Sequence, residues 1–305
     1  MQKFCNGSRI CFIGDSLTAH NEVLPRIIDK YNKLFSNEDI EFFNCGTSGG
    51  TLASAYDFFR DDVLRHNPTH AVIAYAINDS ERWHLANQRS AQRYELLENA
   101  FCRFKKNLSK YCELLESHNI KIILCTPAPY DEYSNQASIP LKGCYALTQG
   151  YADFIRSYAE SHGYELCDYN KYLSEIIAKT DRLLYADDRI HPNAYGYYHM
   201  ANCFFEFQGF TTDVEHPIPE YLEVWRKEVK KLRVIFGAEH MIVKNYAMPT
   251  EEKMIMMQKI IEEKNWGAPV LEGFVRGFVA EKLNQEALYS KIDELYANEI
   301  KYRYK

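Results

Sequence analysis

The chain has no apolar run approaching the ~20 residues needed to cross a bilayer, so no membrane-spanning helix is expected. Its first residues, Met1-Gln2-Lys3-Phe4-Cys5-Asn6-Gly7, lack the basic stretch, the apolar stretch and the small-residue cleavage site of a secretory leader. Nine cysteines are scattered singly, with no C-x-x-C pair. That odd, unpatterned set argues against a disulfide framework and fits reduced thiols. A cytoplasmic location is therefore the expectation. Positive charge is not in excess: the net charge is -6 and the isoelectric point near 6.0. Nucleic acid and anionic membrane surfaces are disfavoured as partners on that ground. No G-x-x-x-x-G-K-[ST] occurs, and Gly46-x-x-Gly49-Gly50 does not spell G-x-G-x-x-G, so nucleotide binding has no signature. Cysteines and histidines show no ligand spacing, and neither a metal nor another cofactor is expected. There is no internal repeat and no low-complexity stretch.

What is present is ample apolar residue, 46% of 305, enough to bury a core. The length suits one large domain with an extension, or two modest domains. Short apolar runs at 8–13, 40–43, 71–75, 120–125 and 164–167 read as strands, and helical spacing fills the intervals. Val23, Leu24, Ile27, Ile28, Tyr31, Leu34 and Phe35 mark a helix over 21–36, where Pro25 is tolerable near the start. Leu52, Tyr56, Phe59 and Val63 mark the next, broken at Asn67-Pro68. A long helix runs from Tyr94 to Leu115, and a final one carries Tyr197, Met200, Ala201, Phe204 and Phe205. Such alternation predicts an α/β fold with a parallel sheet between two helical layers and right-handed crossovers. It places the loops after the first three strands on one edge, where ligands bind in open sheets. The 130–147 loop exceeds the ~12–15 residues of plain connections and is a candidate lid.

The first strand ends in Gly14-Asp15-Ser16-Leu17, which sets a hydroxyl at a strand's carboxyl end. Ser16 is a candidate nucleophile; capping the following helix is its plainer alternative. Asp188 and His191 are three apart, and Pro192 keeps His191 out of a helix. A carboxylate at that distance can curl back to hold the imidazole, although a surface loop with an incidental acid and histidine reads the same. Preorganised N–H donors aimed at a carbonyl oxygen are worth ~3–4 kcal/mol each. The backbone at Gly49 and the amide of Asn78 are candidates for that role, with turn formation and helix capping as alternatives.

The combination is more specific than its parts. Gly14-Asp15-Ser16-Leu17, Asn44-x-Gly46-x-x-Gly49, Asn78-Asp79 and Asp188-x-x-His191-Pro192-Asn193 follow in order after successive strands. Over roughly residues 8–208 the chain resembles the SGNH (GDSL-type) hydrolase superfamily. The resemblance implies a three-layer α/β/α sandwich on a five-stranded flavodoxin-like parallel sheet of order 2-1-3-4-5. It implies Ser16 as nucleophile, His191 as general base and then acid, and Asp188 as its orienting carboxylate. The oxyanion hole would be the Ser16 N–H, the Gly49 N–H and the Asn78 amide, with Asp15 and Asp79 as supports. One position departs: the family usually has glycine two residues before the asparagine, and Ala76 stands there, which implies a narrower wall.

The activity so implied is hydrolysis, through an acyl-enzyme, of a short-chain acyl ester, acetyl in the first place, on a carbohydrate or other small polar carrier. Acyl transfer by the same Ser16 and His191, or carbohydrate binding without catalysis, are the alternatives, with lysophospholipid or thioester substrates less favoured. Trp83, His84, Tyr130 and Tyr133 are candidate substrate contacts, with plain packing as the alternative. The character of the chain changes near 213, giving a catalytic domain over 1–212 and a mainly helical extension over 213–305. In the extension, Met254-Ile255-Met256-Met257 with Ile260 and Ile261 is apolar around much of its circumference. It suits a cap on the core, or else self-association or another protein partner.

Overall fold

A computed structural model describes residues 3–233, apart from 88, 89, 221, 228, 231 and 232. Five strands form one parallel sheet: β1 (Arg9–Gly14), β2 (Glu41–Gly46), β3 (His70–Ala74), β4 (Lys121–Cys125) and β5 (Glu165–Cys167). Their order is β2-β1-β3-β4-β5, as the resemblance implies. β1 lies between β2 and β3, with Gly14 opposite both Gly46 and Ala74. Helices cover both faces, so strand residues are buried whichever way they point. Alternation divides them between two cores. Cys11, Ile13, Ala71 and Ile73 enter one core, with Leu52, Phe104, Tyr111 and Tyr151. Ile10, Phe12 and Val72 enter the other, with Ile27, Tyr31, Met200 and Phe204.

The helices are α1 (Ser16–Ala19), α2 (Leu24–Leu34), α3 (Leu52–Phe58), α4 (Gln92–Ser117), α5 (Cys144–His162), α6 (Tyr169–Ile177) and α7 (Ala194–Phe207). α2 starts later than the apolar spacing implies, because Asn21 takes a left-handed conformation (φ 57°). The stripe from Leu52 to Val63 is not one α-helix: α3 passes into a π-helical turn at Phe59–Val63 and a 3₁₀ turn at Leu64–His66. The stretch after Asn78 contains a 3₁₀ turn at Arg82–Ala86. α5 begins at Cys144, so the long loop is shorter than its composition suggests.

Residues 220–233 are helical wherever described. Leu222, Trp225 and Val229 are buried in the second core, so this part of the extension packs on the sandwich. The expectations for 241–243 and for the apolar stretch from Met254 lie outside the described residues. No helix among the described residues is long and apolar enough to cross a membrane.

Candidate active site

β1 runs into α1 through a turn that only glycine permits. A β-carbon at Gly14 would lie 2.3 Å from the Thr18 hydroxyl oxygen and 2.6 Å from the Ala74 carbonyl oxygen. The turn makes Asp15 the N-cap of α1, where its carboxylate accepts the Leu17 N–H at 3.0 Å. Ser16 opens the helix, so its N–H has no intrahelical carbonyl to serve.

The segment before α7 folds against this turn. Tyr185 bridges Pro192, and the Ala186 N–H donates to the His191 carbonyl at 2.9 Å. One Asp188 oxygen accepts the backbone N–H groups of Ile190 (3.0 Å) and His191 (2.9 Å). The other lies 2.5 Å from His191 Nδ1, and His191 Nε2 lies 2.8 Å from Ser16 Oγ. Burial raises the Asp188 pKa, but the His191 ring and the two N–H donors outweigh it and hold the carboxyl below its ordinary range. An ionised carboxylate at Nδ1 keeps the ring proton there and turns the Nε2 lone pair toward Ser16. The structure thus joins Ser16, His191 and Asp188 in one hydrogen-bonded line.

The loop after β2 makes a turn at 47–50. The Gly50 N–H donates to the Thr47 carbonyl at 2.8 Å, with Gly49 at φ 74° in the third position. That is the position of a type II turn that favours glycine. After β3, Asn78 Nδ2 donates to the Gly50 carbonyl at 3.0 Å, which ties the two loops together. A guanidinium N–H of Arg82 reaches Asn78 Oδ1 at 3.3 Å and the Ile77 carbonyl at 2.8 Å. The amide is thereby oriented, and the second of its two N–H bonds has no partner among the described residues.

Two buried carboxyls lie beneath these loops. Burial pushes Asp15 up to about 6, against the pull of the Leu17 N–H and of the His191 and Arg82 charges. Burial pushes Asp79 up to about 7, and the Asp15 charge adds to the rise. Asp79 Oδ1 accepts the Leu52 N–H at 2.9 Å, while Oδ2 is buried without a hydrogen-bond partner among the described residues. Ala76, where the resemblance implies glycine, sits at φ 141°. The departure is thus a matter of backbone as well as volume: a β-carbon in such a region costs about 1–3 kcal/mol.

The expected substrate contacts are dispersed. Tyr130 is buried, and its hydroxyl accepts the Leu141 N–H at 2.8 Å. Tyr133 is exposed and meets Tyr145 edge-on. Trp83 is half exposed beside His84, whose Nε2 lies 3.2 Å from Glu81. Among the described residues, no hydrogen bond or ring contact joins these four to Ser16 or His191.

Other residues stand at the site without having been marked by any motif. His20 stacks on His191, ring centroids 4.8 Å apart. Arg189, at φ 63° and buried, sends its guanidinium to the carbonyls of Asp131, Ser134, Gln136 and Ser138. It thereby lashes the 131–138 loop to the segment holding Asp188 and His191. An arginine between the two sequence-marked residues carried no periodic signal of that role. A cavity of about 50 Å³ flanks the Ser16 turn, lined among others by Leu17, Ile77, Pro129, Tyr130 and Ile190. Cys45, Asp62 and His66 bring ligand-type atoms within 4.8 Å of one another. Both Asp62 oxygens, however, receive the Arg233 guanidinium at 2.6 Å each, so the group is built around an ion pair.

A parallel sandwich with a serine hydroxyl, an imidazole and a carboxylate aligned at the strand ends defines a class of hydrolytic α/β proteins. A sequence profile of the GDSL-like lipase/acylhydrolase family matches residues 12–198, and the chain belongs to that family. It is accordingly a serine ester hydrolase acting on a small-molecule ester. No curated protein sequence matches the chain. Among solved structures, it is similar to a gut microbial diltiazem-metabolizing enzyme, with 16% identity and a TM-score of 0.65 over 97% of this chain and 96% of that one. It is also similar to an acetylxylan esterase from Geobacillus stearothermophilus, with 19% identity and a TM-score of 0.57 over 70% and 100% of the two chains. A third likeness is to an α/β hydrolase from the metagenome of Lake Arreo, Spain, with 24% identity and a TM-score of 0.53 over 68% and 97%. These likenesses concern the fold.

Proposed function

We propose that the protein hydrolyses short-chain acyl esters, acetyl foremost, of a carbohydrate or another small polar carrier, through an acyl-enzyme on Ser16. The observation that carries this reading is the line from Asp188 through His191 to Ser16 Oγ, with contacts of 2.5 and 2.8 Å. Neutral His191 takes the Ser16 proton on Nε2 as Oγ attacks the ester carbonyl carbon. Asp188 stabilises the imidazolium that results. Negative charge gathers on the carbonyl oxygen, where the Ser16 N–H, the Gly49 N–H and the spare Asn78 amide N–H serve as donors. Collapse breaks the bond to the alcohol, which leaves with the proton from His191. Water then gives a proton to His191 and attacks the acyl carbon, and collapse frees the acid and restores Ser16.

The cavity of about 50 Å³ beside the Ser16 turn has room for a short acyl group. The named activity of the acetylxylan esterase to which the fold is similar favours a carbohydrate acetate among polar carriers. The test is a panel of aryl and sugar esters graded in acyl length, assayed with the native enzyme and with Ser16→Ala. Turnover should be highest for acetyl and vanish in the variant. A preference for long acyl chains would refute the substrate class, and an active Ser16→Ala would refute the mechanism.

A further inference from the structure

Arg233 comes from the extension, well past the expected domain boundary, yet its side chain is only 1% exposed and is among the largest wholly buried in the protein. Its fork grips Asp62 with two nitrogens at 2.6 Å each. The remaining contacts are what matter for the site. Arg233 Nε donates to the Gly46 carbonyl at 2.6 Å, and one of the terminal nitrogens lies 3.5 Å from the Thr47 hydroxyl. Gly46 ends β2 and Thr47 opens the turn that carries Gly49. The opposite side of this segment is closed. A β-carbon at Gly46 would lie 2.3 Å from the Ala19 nitrogen, and the Thr47 N–H donates to the Gly14 carbonyl at 2.8 Å. A β-carbon at Gly50 would lie 2.7 Å from the Thr47 carbonyl oxygen, so the turn has no slack there either. Asn44 Oδ1 holds the Gly46 N–H at 2.9 Å, and the guanidinium holds the carbonyl side of the same residue from the extension.

We infer that Arg233 is a positioning residue for the turn that presents the Gly49 N–H, and that the C-terminal extension thereby completes the active site. A buried ion pair yields little net stability, because desolvation offsets its attraction. What the planar fork supplies is geometry: it holds an acid and a backbone carbonyl in fixed relation, as a lysine ammonium does not. The inference rests on the oxyanion role proposed for Gly49, and its test has a readout independent of turnover.

Two variants of the full-length chain serve. Arg233→Lys keeps a charge facing Asp62 and gives up the fork. Arg233→Met with Asp62→Leu removes both charges and leaves no uncompensated acid. Hydrogen exchange at residues 46–50 should accelerate at least about tenfold in both, with β1 and β3 unchanged. With an aryl acetate, kcat should fall at least about tenfold and KM should stay within about twofold, since the donor acts on the transition state. Unchanged exchange at 46–50 in a folded variant would overturn the positioning role. Faster exchange with kcat within about twofold of the native enzyme would overturn the link to catalysis. A native enzyme inactive on every ester would instead refute the proposed hydrolysis, with the exchange result still judging the clamp. Should the double variant not fold, Arg233→Lys carries both readouts.

Discussion

Asp79 offers a stability experiment whose sign is set by the structure. Its carboxyl is raised from 3.8 to about 7 by burial, with one oxygen bonded to the Leu52 N–H and the other without a hydrogen-bond partner. Between about pH 4 and pH 7 the folded protein therefore keeps a proton that the unfolded chain has released. Stability must fall as pH rises through that window. The shift corresponds to on the order of 4 kcal/mol, at about 1.4 kcal/mol per unit. Asp79→Asn keeps the acceptor for Leu52 and carries no charge at any pH. At pH 4 the two should lie within about 1 kcal/mol of each other, because the neutral carboxyl's O–H and the amide's N–H groups alike lack an acceptor there. At pH 8 the variant should be the more stable one, because the native carboxylate is then ionised and the amide is not. Asp15 is present in both proteins, and its charge, which helps raise Asp79, meets no second charge in the variant, which adds to the variant's advantage at pH 8. The assay is urea unfolding followed by tryptophan fluorescence at stepped pH. Curves that run parallel from pH 4 to pH 8 would refute the reasoning, as would a native protein that gains on the variant as pH rises.

Ala76→Gly should raise the melting temperature by a few degrees, because relief of a φ of 141° outweighs the about 0.5–1 kcal/mol that glycine loses in chain entropy. An unchanged or lower melting temperature in a thermal scan would contradict the strain. Arg189→Met strips the donors from four loop carbonyls and should cost about 3 kcal/mol or more. Limited proteolysis should then cut within 131–138 while the native protein resists, and equal resistance would show that the loop stands without Arg189.

The sheet and the aligned triad were legible because each rests on a local pattern. Strand runs such as Ile10 to Ile13 are apolar on both faces because both faces are covered, and Gly14 and Pro192 mark the turns that present Ser16 and His191. The π-helical turn after Phe58 kept the apolar spacing of an α-helix and so left no trace in the pattern. The anchoring arginines were illegible for another reason. Arg82, Arg189 and Arg233 act on backbone carbonyls, and a carbonyl belongs to every residue type, so no pairing in the sequence announces its partner. The aromatic residues chosen for the substrate wall illustrate the converse. Tyr130 was legible as a loop aromatic and lines the cavity beside the Ser16 turn, but its hydroxyl serves the loop's own backbone. At Ala76 the extra methyl was visible in the sequence, whereas the conformation that makes it costly was not.

The central claim is that Ser16 is the acylated nucleophile and that His191 activates it. The most direct measurement is to mix the enzyme with an aryl acetate, quench in acid within the first turnover, and locate the acetyl group by peptide mass mapping. The account predicts an acetyl group on Ser16 in the native enzyme, its loss in Ser16→Ala, and little of it in His191→Ala at the same quench time. Acetyl on another residue, or full turnover by Ser16→Ala, would contradict it.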